Sequence, residues 1–433
     1  MRKRILPFLL IIMPYLLVLF FTQLDWGLFR DEHRYLDAVK VMLQEGRFMM
    51  NVCGPGVALW SFLWHIAGYN PAICRLTVFV LGLLSIYTVF HLGGYFGYLK
   101  PWHYAVFLAS IPHFFMYSFQ VNGLVIAIAF SLLTMVCYFN LVQRRNQPIS
   151  FSFWLMVSGI FIFSLLGCAT SPFVLAYPAT IILFELIDIF RNKYNLKVNY
   201  LIIGVCALSV ILWVFYAFYL SEGFGAIERH GFKHCDVNIR LGLIYPGHVP
   251  VFFIFFGGFL PFLLLGLPRK VSMKIFIPIL AIIIGIFAAY SPSQINTTTL
   301  YSFYTIFFTF INFIIVTVLN LSAEWNKLFI YILLSLGVYN FLNLIYQCRK
   351  DFYYYFSLIL LCVYMAFALI QPYIGSRLYL PGMLGFLFVA LRAYHKYPRL
   401  LYWQLSYQVF MSAVYVYSLY IKWGIFASGI FKY

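Results

Sequence analysis

The sequence predicts an all-α polytopic membrane protein with about 13 transmembrane helices of ~20 residues each. Three observations carry this reading. Hydrophobic residues make up 64% of the chain and charged residues 9%, whereas soluble domains are about half apolar and roughly 25% charged. Apolar runs of spanning length recur through the 433 residues, and the mean hydropathy is +0.91. Clusters of Lys and Arg fall between those runs in an order that alternates sides. A water-soluble enzyme and intrinsic disorder are both excluded. The formal charge of +17, from 29 Lys+Arg against 12 Asp+Glu, fits the cationic bias of cytoplasmic loops; the partner it implies is the lipid bilayer and not nucleic acid.

The chain opens Met1-Arg2-Lys3-Arg4 and stays apolar from Ile5 to about Phe21. No small-residue cleavage site follows, so this run reads as a retained first helix with its N-terminus in the cytoplasm. Residues 25–70 then form a first external loop. Spans are expected at 71–92, 102–120, 122–141, 151–169, 173–190 and 198–220. The basic stretches Arg144-Arg145 and Arg191-Asn192-Lys193 lie inside on this scheme, and 221–249 forms a second external loop. A span at 250–267 returns to Arg269-Lys270. Three apolar segments follow, near 275–290, 300–320 and 327–346, before Arg349-Lys350. Three full spans cannot join two points on the same side, so one of them is re-entrant, interfacial or misplaced. Spans at 352–370, 378–394 and 402–420 complete a single membrane domain covering 1–433, with no repeat or linker.

The acids are few, and their placement is informative. Five of the twelve fall between Asp25 and Glu45, and three between Glu222 and Asp236. From Asp31 onward, Tyr35, Ala38, Val39, Met42 and Leu43 follow helical spacing, and Gly46 suits a C-terminal stop. The pattern is that of an interfacial helix with Asp31 at its start. A second apolar stretch, Val57–Ala67, also suits the interface. An acid pair at a helix start can simply cap it and face water. The second external loop holds Glu228, Arg229, His230, His234, Cys235, Asp236 and Arg240. His, Cys and Asp are metal-ligand types, but their spacing matches no standard metal site, so no metal site is assigned and a divalent ion is left open. The loop otherwise reads as solvated or as substrate-binding. The eight Cys contain no C-x-x-C pair; Cys53, Cys74 and Cys235 are external, and a disulfide between two of them is one option. His65, His103 and His113 read as satisfied polar residues near span ends.

Several short stretches together resemble one family. Asp31-Glu32-x-Arg34-Tyr35 followed by Met42-Leu43-x-x-Gly46 resembles the opening loop of GT-C membrane glycosyltransferases, closest to the aminoarabinose transferase and protein O-mannosyltransferase group. Gly54-Pro55 stands where that group often has Lys-Pro-Pro. Gly68 to Arg75-Leu76 resembles the start of its second span, Ser110-Ile111-Pro112-His113-Phe114 the end of its third, and Arg377-Leu378-Tyr379-Leu380-Pro381 the start of a late one. Asn122 stands where many members have an Asp. The resemblance implies transfer of a sugar from a polyprenyl-phosphate donor to a hydroxyl of a glycan, lipid or protein acceptor, on the non-cytoplasmic face and with inversion. It makes Asp31 the general base, with Glu32 as a second catalytic carboxylate that orients the acceptor, binds a metal or is merely solvated. Arg75 and Arg377, at span ends, become donor-phosphate contacts, or else snorkelling anchors. Arg34, Tyr35, Glu228, Arg229, His234, Asp236 and Arg240 become substrate-loop residues. No cofactor is assigned. The expected location is a bacterial inner membrane. An O-antigen or capsule polymerase, which needs no acid pair after its first span, and a lipid-linked sugar transporter, which favours charged or broken mid-membrane helices and internal repeats, are the competing readings.

Overall fold

A computed structural model describes residues 2–22, 24, 32, 36, 40, 64–66, 68–145, 147–192, 196–220, 252–253, 256–258, 260–262, 274–280, 282, 319–320, 325–346, 352–369, 383–395 and 397–423. Among these residues every regular element is helical. The helices are α1 (Arg2–Thr22), α2 (Pro71–Phe96), α3 (Pro101–Ala109), α4 (Pro112–Tyr117), α5 (Gly123–Gln143), α6 (Phe151–Thr170), α7 (Ala176–Asn192), α8 (Leu196–Leu220), α9 (Trp325–Tyr346), α10 (Phe352–Leu369), α11 (Met383–His395) and α12 (Pro398–Trp423), with a 3₁₀ turn at Pro172–Leu175 before α7. Five described segments are long and apolar enough to cross a membrane: Pro71–Phe96, Gly123–Gln143, Phe151–Thr170, Phe173–Phe190 and Leu196–Phe215. The chain is thus an all-α integral membrane protein, and the finer count of about 13 spans extends over segments that lie outside the described residues.

Helix limits follow from local chemistry. Asn70 caps α2 by accepting from the backbone N–H groups of Ala72 and Ile73 at 3.0 and 3.4 Å, and Pro71 fills the first position, where no N–H is needed. Gly97 ends α2 in the left-handed region, with φ 63°. Asn122 caps α5: its Oδ1 accepts from Leu124 N and Val125 N, while its Nδ2 donates to the carbonyls of Tyr117 and Gln120. A single amide side chain thereby sets both the end of α4 and the start of α5.

The segment expected as one span over 102–120 is broken into α3 and α4. Pro112 has no N–H, and its ring crowds the preceding turn, so the helix cannot run through it. The carbonyls freed by the break are met from elsewhere, as they must be in a bilayer. Tyr15 of α1 donates to Ala109 O at 2.9 Å, and Ser412 of α12 donates to Ser110 O at 3.3 Å. The Ser110 hydroxyl itself donates to Gln408 at 2.6 Å. The break is therefore wedged between the first and last described helices.

Within the bilayer, packing comes from close contact and internal hydrogen bonds and not from exclusion of water. The Ser85, Ser131, Thr134 and Thr180 hydroxyls bond back to carbonyls four residues earlier. Phe96 stacks on Phe388 with centroids 4.3 Å apart, and Tyr104, Phe139 and Tyr353 surround it. The tightest crossing is between 252–258 and α9. A Cβ on Gly337 would run into the Phe253 carbonyl oxygen, and one on Gly257 into that of Leu333. Asn340 braces the same crossing by donating to Leu260 O at 2.8 Å. Because the obstacles are backbone atoms, Gly337→Ala is expected to destabilise the protein by about 1–3 kcal/mol, the usual overpacking range. Thermal unfolding in detergent, compared with Gly204→Ala, where a Cβ would meet open space, checks this.

Candidate functional site

The described part of the first loop shows its helical register. Glu32, Leu36 and Lys40 are each helical, and at four-residue spacing they share one face. Glu32 and Leu36 are buried, at 1% and 3% exposure. Helical structure is therefore present at these three positions, with the acid turned into protein. The sequence left open a solvated Glu32; burial removes that option.

Glu32 meets Arg75 in a fork-to-fork pair. Arg75 Nε donates to Glu32 Oε1 at 2.9 Å, and Nη2 donates to Oε2 at 2.7 Å. Arg75 is fully buried, and its Nη1 donates to the carbonyl of Leu24 at 2.7 Å. The backbone N–H of Val121 adds a donor to Glu32 Oε1 at 2.8 Å. Leu24 follows the end of α1, Arg75 lies in the second turn of α2, and Val121 immediately precedes the Asn122 cap of α5. Three helix termini and the loop helix therefore converge on one ion pair. Bidentate geometry makes this the strong form of an ion pair. Leu24 reaches the guanidinium from a left-handed backbone, φ 56°, a strained conformation for a residue with a Cβ.

The position of Arg75 differs from both sequence readings of it. It does not snorkel, since no part of it is exposed, and its fork is turned onto Glu32, with Nη1 on the Leu24 carbonyl, instead of onto a headgroup. Nearby, Trp64 Nε1 donates to Thr77 Oγ1 at 3.0 Å, which fixes the end of the loop against α2. Cys74, one of the external thiols considered for a disulfide, is free and buried. Asp31, Arg34, Tyr35, Glu228, Arg229, His234, Asp236, Arg240 and Arg377 lie outside the described residues, as do Gly54-Pro55, Cys53 and Cys235.

A second charged group sits at the opposite end of the bundle. Arg145, two residues past α5, pairs with Glu185 through Nη2 and with Asp188 at 2.6 Å through Nη1. Tyr138 donates to Glu185 at 2.7 Å and Asn199 to Asp188 at 3.0 Å. Arg392 at the end of α11 lies over the rings of Tyr98 and Tyr354, 4.6 and 4.4 Å from their centroids. Gln143 donates to Tyr353 at 3.1 Å. The basic stretches Arg144-Arg145 and Arg392–Arg399 are thus tied to the same end, α2 being ~39 Å long at 1.5 Å per residue. This grouping joins helices to one another.

The chain matches no known protein family, curated protein or solved structure.

Removing one partner of a buried ion pair strands the other, at about 3–5 kcal/mol, whereas replacing both with apolar groups is often near neutral. Glu32→Leu and Arg75→Met are each expected to lower thermal stability sharply, and the double variant to recover most of the loss. Unfolding of the four proteins in detergent checks this; additive losses in the double variant would contradict the pairing.

Proposed function

We propose that the chain is a GT-C-like glycosyltransferase that moves a sugar from a polyprenyl-phosphate donor to an acceptor hydroxyl, with inversion, on the non-cytoplasmic face of a bacterial inner membrane. The observation that supports the reading best is the treatment of the acid pair. A carboxylate at the start of a loop helix costs little to leave in water, yet here Glu32 is buried and pinned by Arg75 and Val121, with Arg75 held in turn by the Leu24 carbonyl. Such an investment of buried charge makes sense where the neighbouring residue must be held in one place. By covalent geometry, Asp31 Cα lies about 3.8 Å from that of Glu32.

In the proposed reaction Asp31 takes the proton of the acceptor hydroxyl as its oxygen forms a bond to the anomeric carbon. The bond from that carbon to the donor phosphate oxygen breaks, and the electron pair leaves with the phosphate as polyprenyl phosphate. One displacement from the opposite side gives inversion. Glu32 acts as a positioning residue through Arg75. Arg377 and the cations of the second loop, Arg229 and Arg240, remain the candidates for stabilising charge on the departing phosphate. Arg34, Tyr35, Glu228, His234 and Asp236 remain candidates for contacts with donor or acceptor.

Asp31→Asn keeps shape but removes basicity. In the purified protein, with an undecaprenyl-phosphate sugar and acceptor both saturating, transfer is expected to fall about 10²–10⁴-fold while the unfolding temperature stays that of wild type. Unchanged transfer in Asp31→Asn sinks the assignment of the base. The proposed orientation carries a separate test. Cysteines placed at Glu45 and Glu222 are expected to react with an impermeant thiol reagent in intact cells; reaction only after permeabilisation would reverse the topology.

A further inference from the structure

The same loop carries a second group of polar side chains, apart from the Glu32 pair. Lys40 is two turns further along the helix and half-buried. Its Nζ lies 5.5 Å from the centroid of the Tyr69 ring, within cation–π reach. The Tyr69 hydroxyl lies 3.1 Å from Nδ1 of His65, and His65 is exposed. Tyr69 adopts a left-handed backbone, φ 56°, directly after Gly68 at φ 60°. A bulky aromatic residue in that region is an outlier whose strain the surroundings must hold, and such outliers concentrate at binding sites. Burial pushes the Tyr69 hydroxyl above its ordinary value, with the Cys74 thiol adding to the effect, so the phenol keeps its proton and its capacity to donate.

The setting indicates what the group faces. Tyr69 stands two residues before the start of α2, a spanning helix. Exposed apolar side chains flank it: Ile66 at 69%, Ile73 at 46% and Leu76 at 41%. In a membrane protein those side chains meet acyl chains, and polar groups just before the first turn of the span lie at headgroup depth. An ammonium and a hydrogen-bonded phenol–imidazole pair at that depth suit a phosphate: Lys supplies a point charge, and the pair supplies one further donor, the Tyr69 hydroxyl or His65 Nε2–H according to the tautomer, strengthened by the anion.

We propose that Lys40, Tyr69 and His65 form a docking site for the phosphate group of a membrane lipid. Two lipids carry that chemistry at that depth: polyprenyl phosphate, the carrier in the proposed transfer reaction, and the anionic glycerophospholipids of the bilayer. The site stands whether or not the transfer reaction does, because lipid binding is read without any sugar or acceptor.

The test is native mass spectrometry of the full-length protein released from detergent, titrated separately with undecaprenyl phosphate, with phosphatidylglycerol, and with undecaprenol, which lacks the phosphate. Wild type is expected to prefer undecaprenyl phosphate over undecaprenol by about tenfold or more, the scale of one or two charge-assisted hydrogen bonds. Lys40→Ala is expected to erase most of that preference, Lys40→Arg to keep it, and His65→Ala and Tyr69→Phe to reduce it several-fold. Loss of undecaprenyl phosphate alone identifies the carrier as the ligand; parallel loss of phosphatidylglycerol identifies a general headgroup site. If Lys40→Ala does not fold, the His65 and Tyr69 variants decide, since neither change leaves a buried charge unpaired. Wild-type preference in all the folded variants overturns the proposal.

Discussion

A carboxylate and a guanidinium buried together at the edge of a membrane domain constrain everything around them. Neither charge is tolerable alone in a medium of low dielectric, and Glu32 and Arg75 are 1% and 0% exposed. The pair forms only if the loop helix, the second turn of α2, the residue after α1 and the residue before α5 arrive at one place. The link from Glu32 to Val121 spans 89 residues of sequence and that to Arg75 spans 43. Packing among lipid-facing helices is permissive, because sliding one apolar surface over another changes little. The demand that this ion pair close is not permissive, and it gives the otherwise uniform helices a register.

The same rule governs the rest of the bundle. Tyr15, Gln408 and Ser412 are polar residues placed in or against apolar helices, and each is directed at the backbone broken by Pro112 or at Ser110 beside it. The Arg145 group ties α5, α7 and α8 together, and Arg392 ties α11 to the end of α2 and the start of α10. In each case a polar residue sits where a backbone or charged group would otherwise lack a partner. The interruption between α3 and α4 can exist at membrane depth because α1 and α12 close over it.

The sequence made some of this legible. Composition gave the class, and apolar run lengths gave α2, α5, α6, α8, α9 and α10 to within a few residues, because a lipid-facing helix needs little beyond length and hydropathy. Pro112 could have announced the break, but a continuous apolar run hid it; its repair by Tyr15 and Ser412 depends on contacts across 94 and 302 residues that no local pattern encodes. At the candidate site, the scarcity of acids pointed to the right segment. Periodicity then put Tyr35, Ala38, Val39, Met42 and Leu43 on the apolar stripe; Leu36, Val39 and Leu43 are i+4, i+7 and i+11 from Glu32, so the acid shares that face. The burial of Glu32 was missed because a carboxylate at a helix start reads as solvated until its partner is visible. The link from Arg75 to Glu32 was equally hidden: an Arg near a span end reads as a headgroup contact until its partner is visible. The Leu24 carbonyl carried no signal at all.

The geometry also divides the acid pair. Glu32 accepts from Arg75 Nε, Arg75 Nη2 and Val121 N, so its two oxygens are held by donors that would have to be broken before it could take a proton from an acceptor. Within the proposed reaction that leaves proton transfer to Asp31 and gives Glu32 the task of fixing where the helix begins. Two adjacent acids that look redundant in sequence then hold different jobs. Exchanging their order would turn the binding carboxylate by ~100° around the helix, away from Arg75. The order Asp-Glu, and not merely the presence of two acids, is what ties the loop to the start of α2.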